Sequence, residues 1–327
     1  SARPPREPRF AALEAQPVTA SAEVKPNFLI VGAAKSGTTS LYHYLSRRED
    51  VFMSDKRKEG RHFSGVGEGG VYWPAYYSFE TAPDWRDYLD LFENYQGEAR
   101  IGDASPDYLA YAHIAAPRIL DRLGADTRII AILRDPVSRA WSHYLQNVRR
   151  EAEFFSFETT LDLEPRRAAA RWGFQWLYTI NGRYSDQLPH YFDRFEPLVL
   201  LQEDLDADPA GVLDRIADYL DLPRADAPPP KERFNTGGIP AGFEPILSGV
   251  HDDRAGTPFE QLHRELSEGS GPSGPSADGV YPPIDTNTLI YRELAEAARV
   301  RTFEALRPYI DALQEMIGRD LSHWGRP

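Results

Sequence analysis

Between Gly32 and Thr39 the chain reads Gly-Ala-Ala-Lys-Ser-Gly-Thr-Thr, an ammonium and three hydroxyls set among residues small enough to let a ligand approach the backbone. At the start of a helix, the unpaired N–H groups of such a loop point at a common centre, and the helix dipole favours negative charge there. Lys35 adds a point charge, and Ser36, Thr38 and Thr39 add donors around Gly37. The chemistry this serves is the binding of a phosphate-like anion.

A second constellation follows about a hundred residues later. Arg134 precedes Asp135-Pro136, which set a turn, and Ser142 lies eight residues on from Arg134, one to two turns into the next helix. Together they converge on a second anion. A third run, Lys56-Arg57-Lys58-Glu59-Gly60-Arg61-His62-Phe63, mixes cations with one carboxylate and one imidazole. A nucleotide triphosphatase loop competes for the first motif, but its lysine follows the second glycine after a four-residue gap, whereas Lys35 precedes Gly37. Such an enzyme also needs an acid at a neighbouring strand end to hold its metal, and the chain puts Arg134 at the end of Arg128–Leu133. A metal-dependent nucleotide-binding protein, kinase or NTPase, remains the alternative.

The elements that must carry these residues are legible as apolar runs. Asn27–Ala33 and Arg128–Leu133 read as strands running into their loops, with helices over Thr38–Arg48 and Val137–Arg150. Further strands are expected at Val51–Met53, Ala99–Gly102 and Leu198–Gln202. Further helices are expected at Trp85–Tyr95, Ile114–Leu123, Tyr184–Phe195, Pro209–Leu220, Thr288–Arg299 and Thr302–Arg319. Strand and helix alternate, which predicts an α/β fold with a mainly parallel sheet covered on both faces. Residues 1–26 read as a loose N-terminal arm and residues 27–327 as one domain, with a mobile insertion across 228–283 around the Ser/Gly/Pro-rich Gly269–Gly279.

With 41% hydrophobic residues, the 327-residue chain can fill a sizeable core. Its net charge of −13 argues against nucleic acid and acidic membranes as partners, so any anion site must be local. No apolar run reaches the roughly 18 residues of a membrane span, and residues 1–26 lack the apolar core of a signal peptide. The absence of cysteine fits a reducing compartment, and the expected location is cytoplasmic.

Phe28–Leu41 resembles the phosphosulfate-binding loop of sulfotransferases that use 3′-phosphoadenosine 5′-phosphosulfate (PAPS), and Arg134-Asp135-Pro136 with Arg139 and Ser142 resembles their 3′-phosphate motif. The similarity extends through Gly182-Arg183-Tyr184, Glu203-Asp204-Leu205 and Gly318–Trp324, and is strongest to heparan-sulfate-type and bacterial members, including polyketide-associated domains. The resemblance implies a P-loop-like three-layer fold, PAPS as donor, adenosine 3′,5′-bisphosphate (PAP) as product, and no metal. It implies donor contacts from Lys35, Ser36, Gly37, Thr38, Thr39, Arg134 and Ser142. Lys58-Glu59 matches a Lys-Glu step whose carboxylate is the general base, with Gly60 in place of the usual proline and hence a looser backbone. Heparan-type members also carry a late Lys-Gly step, for which Phe234–Gly238 is the nearest segment.

In-line sulfuryl transfer works by positioning and by neutralising the leaving group, a task that suits Lys35 and leaves the acceptor proton to Glu59. His62 and His43 are rival bases. Tyr72, Trp73, Tyr76 and Tyr77 can wall an acceptor cleft. The expected acceptors are a glycan, a small hydroxylated metabolite or an acyl chain on a carrier protein.

Overall fold

The computed structural model describes residues 23–74, 77, 79–225, 238–240, 247, 289–290 and 292–326. In chain order its elements are β1 (Phe28–Gly32), α1 (Thr38–Leu45), β2 (Val51–Met53), α2 (Trp85–Leu89), β3 (Arg100–Asp103), α3 (Asp107–Ala110), α4 (Ala112–Leu123), β4 (Arg128–Leu133), α5 (Pro136–Arg149) and α6 (Phe157–Ala169). They continue with α7 (Tyr184–Gln187), α8 (Pro189–Phe192), β5 (Leu198–Leu201), α9 (Gln202–Ala207), α10 (Pro209–Tyr219), β6 (Ile239–Pro240), β7 (Leu289–Ile290) and α11 (Glu296–Ile317).

Five strands pair in parallel in the order β2-β3-β1-β4-β5, and β6 and β7 form a separate antiparallel pair. Period-two alternation sends Leu29, Val31, Ile129 and Ala131 to one face, where Ile119 of α4, Tyr144 of α5 and Leu306 of α11 cover them. Phe28, Ile30, Ile130 and Ile132 face the other way, under Leu41 of α1 and Ile216 of α10. Both faces are buried, which is why the strands read as continuous apolar runs. The result is the expected three-layer α/β fold.

Because β1 is central and its chain leaves toward β2 while β4 lies on its other side, the loops after β1 and β4 open onto one crevice at the carboxyl ends of the strands. The strands expected from sequence are all present within a residue or two of their ends. Helices differ more. Trp85–Tyr95 becomes α2 followed by a 3₁₀ turn at Asp90–Phe92, and Tyr184–Phe195 is broken before Pro189. Of the helix expected over Thr288–Arg299 only the end is found: Leu289–Ile290 is the strand β7, and the helix starts at Glu296 and runs on through Val300 and Arg301 as α11, since pairing with β6 claims the apolar Leu289-Ile290.

α6, with Pro165 inside it, has no counterpart among the helices expected from sequence. Ser156 caps it by accepting from the Thr159 N–H at 3.2 Å, and the buried Arg167–Glu153 pair at 2.7 Å ties it to the core. At the end of the expected arm, Glu23 accepts from the Trp85 indole at 3.1 Å and Lys25 donates to the Arg122 carbonyl at 3.0 Å. Residues 1–22, and all of the expected insertion except 238–240 and 247, lie outside the described residues.

Candidate active site

The loop after β1 is shaped by backbone constraints that only its own residues meet. A side chain at Gly32 would bring its Cβ within 2.5 Å of the Leu109 Cβ, so β1 can pass α3 only as glycine. Lys35 and Gly37 both take left-handed conformations, at φ 70° and 104°, and Gly37 is the N-cap of α1. No described side chain caps α1, so the N–H groups of its first turn remain for an anion. Ser36 and Thr38 are buried beside them.

The second motif closes over the first. Arg134 donates from Nη1 to the Lys35 carbonyl at 3.4 Å, and its own carbonyl accepts from the Tyr184 hydroxyl at 3.0 Å. Tyr184, buried at the start of α7, also sits against the Ser36 hydroxyl. Gly182 precedes it because a Cβ there would come within 2.8 Å of the Pro136 Cβ. Asp135 caps α5, accepting from Val137 at 3.1 Å and from the Ser138 hydroxyl at 2.6 Å, and it also holds the Gly325 N–H. Ser142 lies half-buried on α5. Arg139 turns the other way, fully buried and donating to the Tyr178 carbonyl, so within the motif it supports the core.

Glu59 is carried on a loop held by three successive amides. Gly60 N–H meets Asp103 Oδ1 at 3.3 Å, Arg61 N–H meets Ser105 Oγ at 3.1 Å, and His62 N–H meets the Tyr108 hydroxyl at 3.1 Å. Asp103, the acid that ends β3, is saturated by this work, since Tyr88, Tyr108 and Ser105 also donate to it. The looser backbone expected from Gly60 is therefore not found. A Cβ at that position would lie 2.6 Å from Tyr88 Cε2, and a proline would lack the N–H that Asp103 accepts.

Lys58 donates to Glu59 Oε1 at 3.2 Å, and Arg61 donates to Oε2 through both Nε, at 3.1 Å, and Nη2. Burial works to raise the Glu59 carboxyl, but Arg61 and Lys58 outweigh it and hold the group down at about 2. Arg61 itself lies between the rings of Phe79 and Phe174, 4.7 and 5.9 Å from its guanidinium carbon.

Lys35 sits in a basin of like charge. Burial, followed by the charges of Arg149, Arg150, Arg134 and Lys58, lowers its ammonium to about 7. Lys58 thus joins the two halves of the site, bonded to Glu59 and felt at Lys35. Arg149 and Arg150, at the end of α5, have no counterpart among the site residues expected from sequence, since a charge pair at a helix end carries no local sign of what it faces.

The histidines are placed differently. His62 stacks on Tyr88 with centroids 4.9 Å apart and donates from Nδ1 to the Ala82 carbonyl at 2.8 Å. Burial lowers it, and its charged neighbours are Arg122, Glu68 and Arg118, none of which belongs to the Lys35 basin. His43 lies half-buried on α1 with its ring edge-on to Tyr42. Tyr72, Trp73 and Tyr77 are buried, packed with Trp172, Phe174 and Trp176 as core, while Tyr76 lies outside the described residues. Of the late segment Phe234–Gly238, only Gly238 is described, in a left-handed conformation.

The family profile described as sulfotransferase domain matches residues 25–234, the span that holds the whole basin. This chain belongs to the sulfotransferase family. The sulfotransferase is 28% identical over 202 residues to heparan sulfate glucosamine 3-O-sulfotransferase 3B1 of Homo sapiens, covering 61% of this chain and 47% of that protein. It is 29% identical over 210 residues to the bifunctional heparan sulfate N-deacetylase/N-sulfotransferase 3 of Homo sapiens, covering 60% of this chain and 22% of that one. The crystal structure of a sulfotransferase from Alicyclobacillus acidocaldarius superposes with a TM-score of 0.69 at 27% identity, covering 93% of this chain and 100% of that one.

The sulfotransferase spans about half the length of the 3-O-sulfotransferase it matches. Membership of the family places the matched span among sulfotransferase domains and speaks against the kinase or NTPase alternative. Among the described residues no helix is long and apolar enough to cross a membrane.

Proposed function

We propose that this sulfotransferase takes its sulfuryl group from PAPS and delivers it to an acceptor hydroxyl by in-line displacement. The observation that carries the reading is the bond from Arg134 to the Lys35 carbonyl, which joins two anion sites into one. A donor with phosphate on both ends of its ribose matches such a pair, whereas a triphosphate needs only one loop. The uncapped first turn of α1, with Lys35, Ser36, Gly37, Thr38 and Thr39, would hold the 5′-phosphosulfate. Arg134 and Ser142 would hold the 3′-phosphate.

In the proposed step the acceptor oxygen bonds to sulfur as the bond from sulfur to the 5′-phosphate oxygen breaks, and the electron pair stays on that oxygen. Lys35 neutralises it. Glu59 accepts the hydroxyl proton. Held ionised at about 2, it can receive a hydrogen bond from the acceptor at any working pH. It takes the proton late, once bonding to sulfur has made the oxygen acidic. The cations of the basin supply the charge neutralisation that a metal gives a triphosphate enzyme, so turnover without metal is part of the proposal.

The acceptor would be a glycan, a small hydroxylated metabolite or an acyl chain on a carrier protein, and the cysteine-free sequence supports work in the cytoplasm. Thermal unfolding tests the donor. PAP at roughly a hundred times its Kd should stabilise the protein by about 2.7 kcal/mol in chelator-treated buffer, with no such effect from ATP and Mg²⁺. No shift with PAP, or an equal shift with ATP and Mg²⁺, overturns the reading.

A further inference from the structure

We propose that Arg149 and Arg150, at the C-terminal end of α5, hold the sulfuryl oxygens of the donor during transfer. The inference rests on PAPS as the donor. α5 begins just after Arg134, carries Ser142 on its way, and ends at the two arginines, so one helix carries both a residue of the 3′-phosphate site and two charges that are felt at Lys35. Seven residues separate Ser142 from Arg149, roughly 10 Å along a helix, a length comparable with a nucleoside phosphorylated at both ends of its ribose. The charges of Arg149 and Arg150 act on Lys35 more strongly than that of Arg134, which bonds its carbonyl.

Arg150 is oriented from below. It is hydrogen-bonded to Tyr77, a buried residue locked by stacking on Trp73 and edge contact with Trp176. Burial and the charge of Arg150 both disfavour the cation of Arg149, and crowding of this kind is relieved when an anion arrives. The loop amides and Lys35 account for the 5′-phosphate, and Arg134 with Ser142 for the 3′-phosphate. Within the 5′-phosphosulfate the loop amides serve the phosphate end, which leaves the sulfuryl oxygens for these two arginines. Two guanidinium forks suit those three oxygens, fixing them while sulfur passes from the phosphate oxygen to the acceptor oxygen and the electron pair stays on PAP.

PAP lacks the sulfuryl group, which makes the test direct. Calorimetry should find PAP bound by Arg149→Gln and Arg150→Gln within about twofold of the parent protein, and PAPS bound roughly tenfold or more weakly, the loss expected for a charge-assisted hydrogen bond. Transfer of the sulfuryl group from PAPS to water should slow by at least a similar factor. Arg149→Lys, which keeps the charge without the fork, should fall between, and it carries the test should a glutamine variant fail to fold. Equal weakening of PAP and PAPS, or no change in either ligand or in hydrolysis, overturns the assignment. Failure of the unaltered protein to bind PAP instead removes the donor.

Discussion

The amide of Gly60 points at Oδ1 of Asp103 from 3.3 Å, and this contact between the loop after β2 and the end of β3 sets the position of Glu59. Asp103 is buried and burial raises its carboxyl, yet donors from Tyr108, Ser105, Gly60 and Tyr88 surround it. A saturated buried carboxylate of this kind makes a rigid anchor.

Gly60→Ala should therefore act through crowding. Its Cβ would lie 2.6 Å from Tyr88, and overpacking of that order destabilises by about 1–3 kcal/mol. The expected result is a lower melting temperature with PAP affinity kept and turnover reduced, because Glu59 moves while the loop after β1 does not. Unchanged melting would show that Tyr88 gives way freely.

The pH dependence of donor binding should report Lys35. Its ammonium lies at about 7 in the free protein, and an arriving phosphate raises it, so binding takes up a proton. PAP affinity contributed by this lysine is full below pH 7 and declines as pH rises above it. Lys35→Arg should flatten the profile. The same shift affects stability with a definite sign, because the folded value lies below the unfolded one. The unfolded chain binds more protons between pH 7 and the ordinary lysine value, so the penalty is greatest below pH 7 and fades as pH rises. Lys35→Met should accordingly melt above the parent protein at pH 6, an advantage lost toward pH 10.5. A profile for PAP that matches that of Lys35→Arg across pH 6–9 would remove Lys35 from the site.

Arg134→Ala should discriminate between ligands. PAP should weaken far more than adenosine 5′-phosphosulfate, which has no 3′-phosphate, since Arg134 is assigned to that group. Parallel titrations of the two ligands measure this, and equal losses would show that Arg134 serves the loop alone through the Lys35 carbonyl.

Glu59→Gln should keep PAP binding and lose turnover by roughly a hundredfold or more, as expected for removal of a general base. The opposing outcome has a structural motive, because Arg61 is bonded to Glu59 through two nitrogens. A purely structural pair would show lost stability and weaker donor binding with turnover near normal. His62→Ala should lower stability by removing its stack on Tyr88 while leaving most turnover. Loss of turnover in His62→Ala with retention in Glu59→Gln would transfer the role to the imidazole.

Much of this site was legible as spacing. A strand, a glycine-rich loop and a helix are consecutive in the chain, so the residues from Gly32 to Thr39 are brought together by local geometry alone, and Arg134 with Asp135-Pro136 is likewise a local turn. Local signals were weaker where burial decides. Arg139 reads as part of the anion motif, yet the side chain faces the core, because its position on α5 puts it against Tyr178. His62 reads as a candidate base, yet its aromatic neighbours come from α2, a separate segment.

The amino-acid sequence by itself determined the alternation of strands and helices, the glycine-containing loop between β1 and α1 and the turn at Arg134, each through the periodicity and backbone freedom of adjacent residues. Only the tertiary structure decided which distant groups meet. The order β2-β3-β1-β4-β5 puts Asp103 under the Glu59 loop, and the course of α5 lets the charges of Arg149 and Arg150 act on Lys35. Those meetings depend on how strands are ordered and helices laid across them. That order is set by burial of the two sheet faces as a whole, a sum over many residues that no local pattern carries.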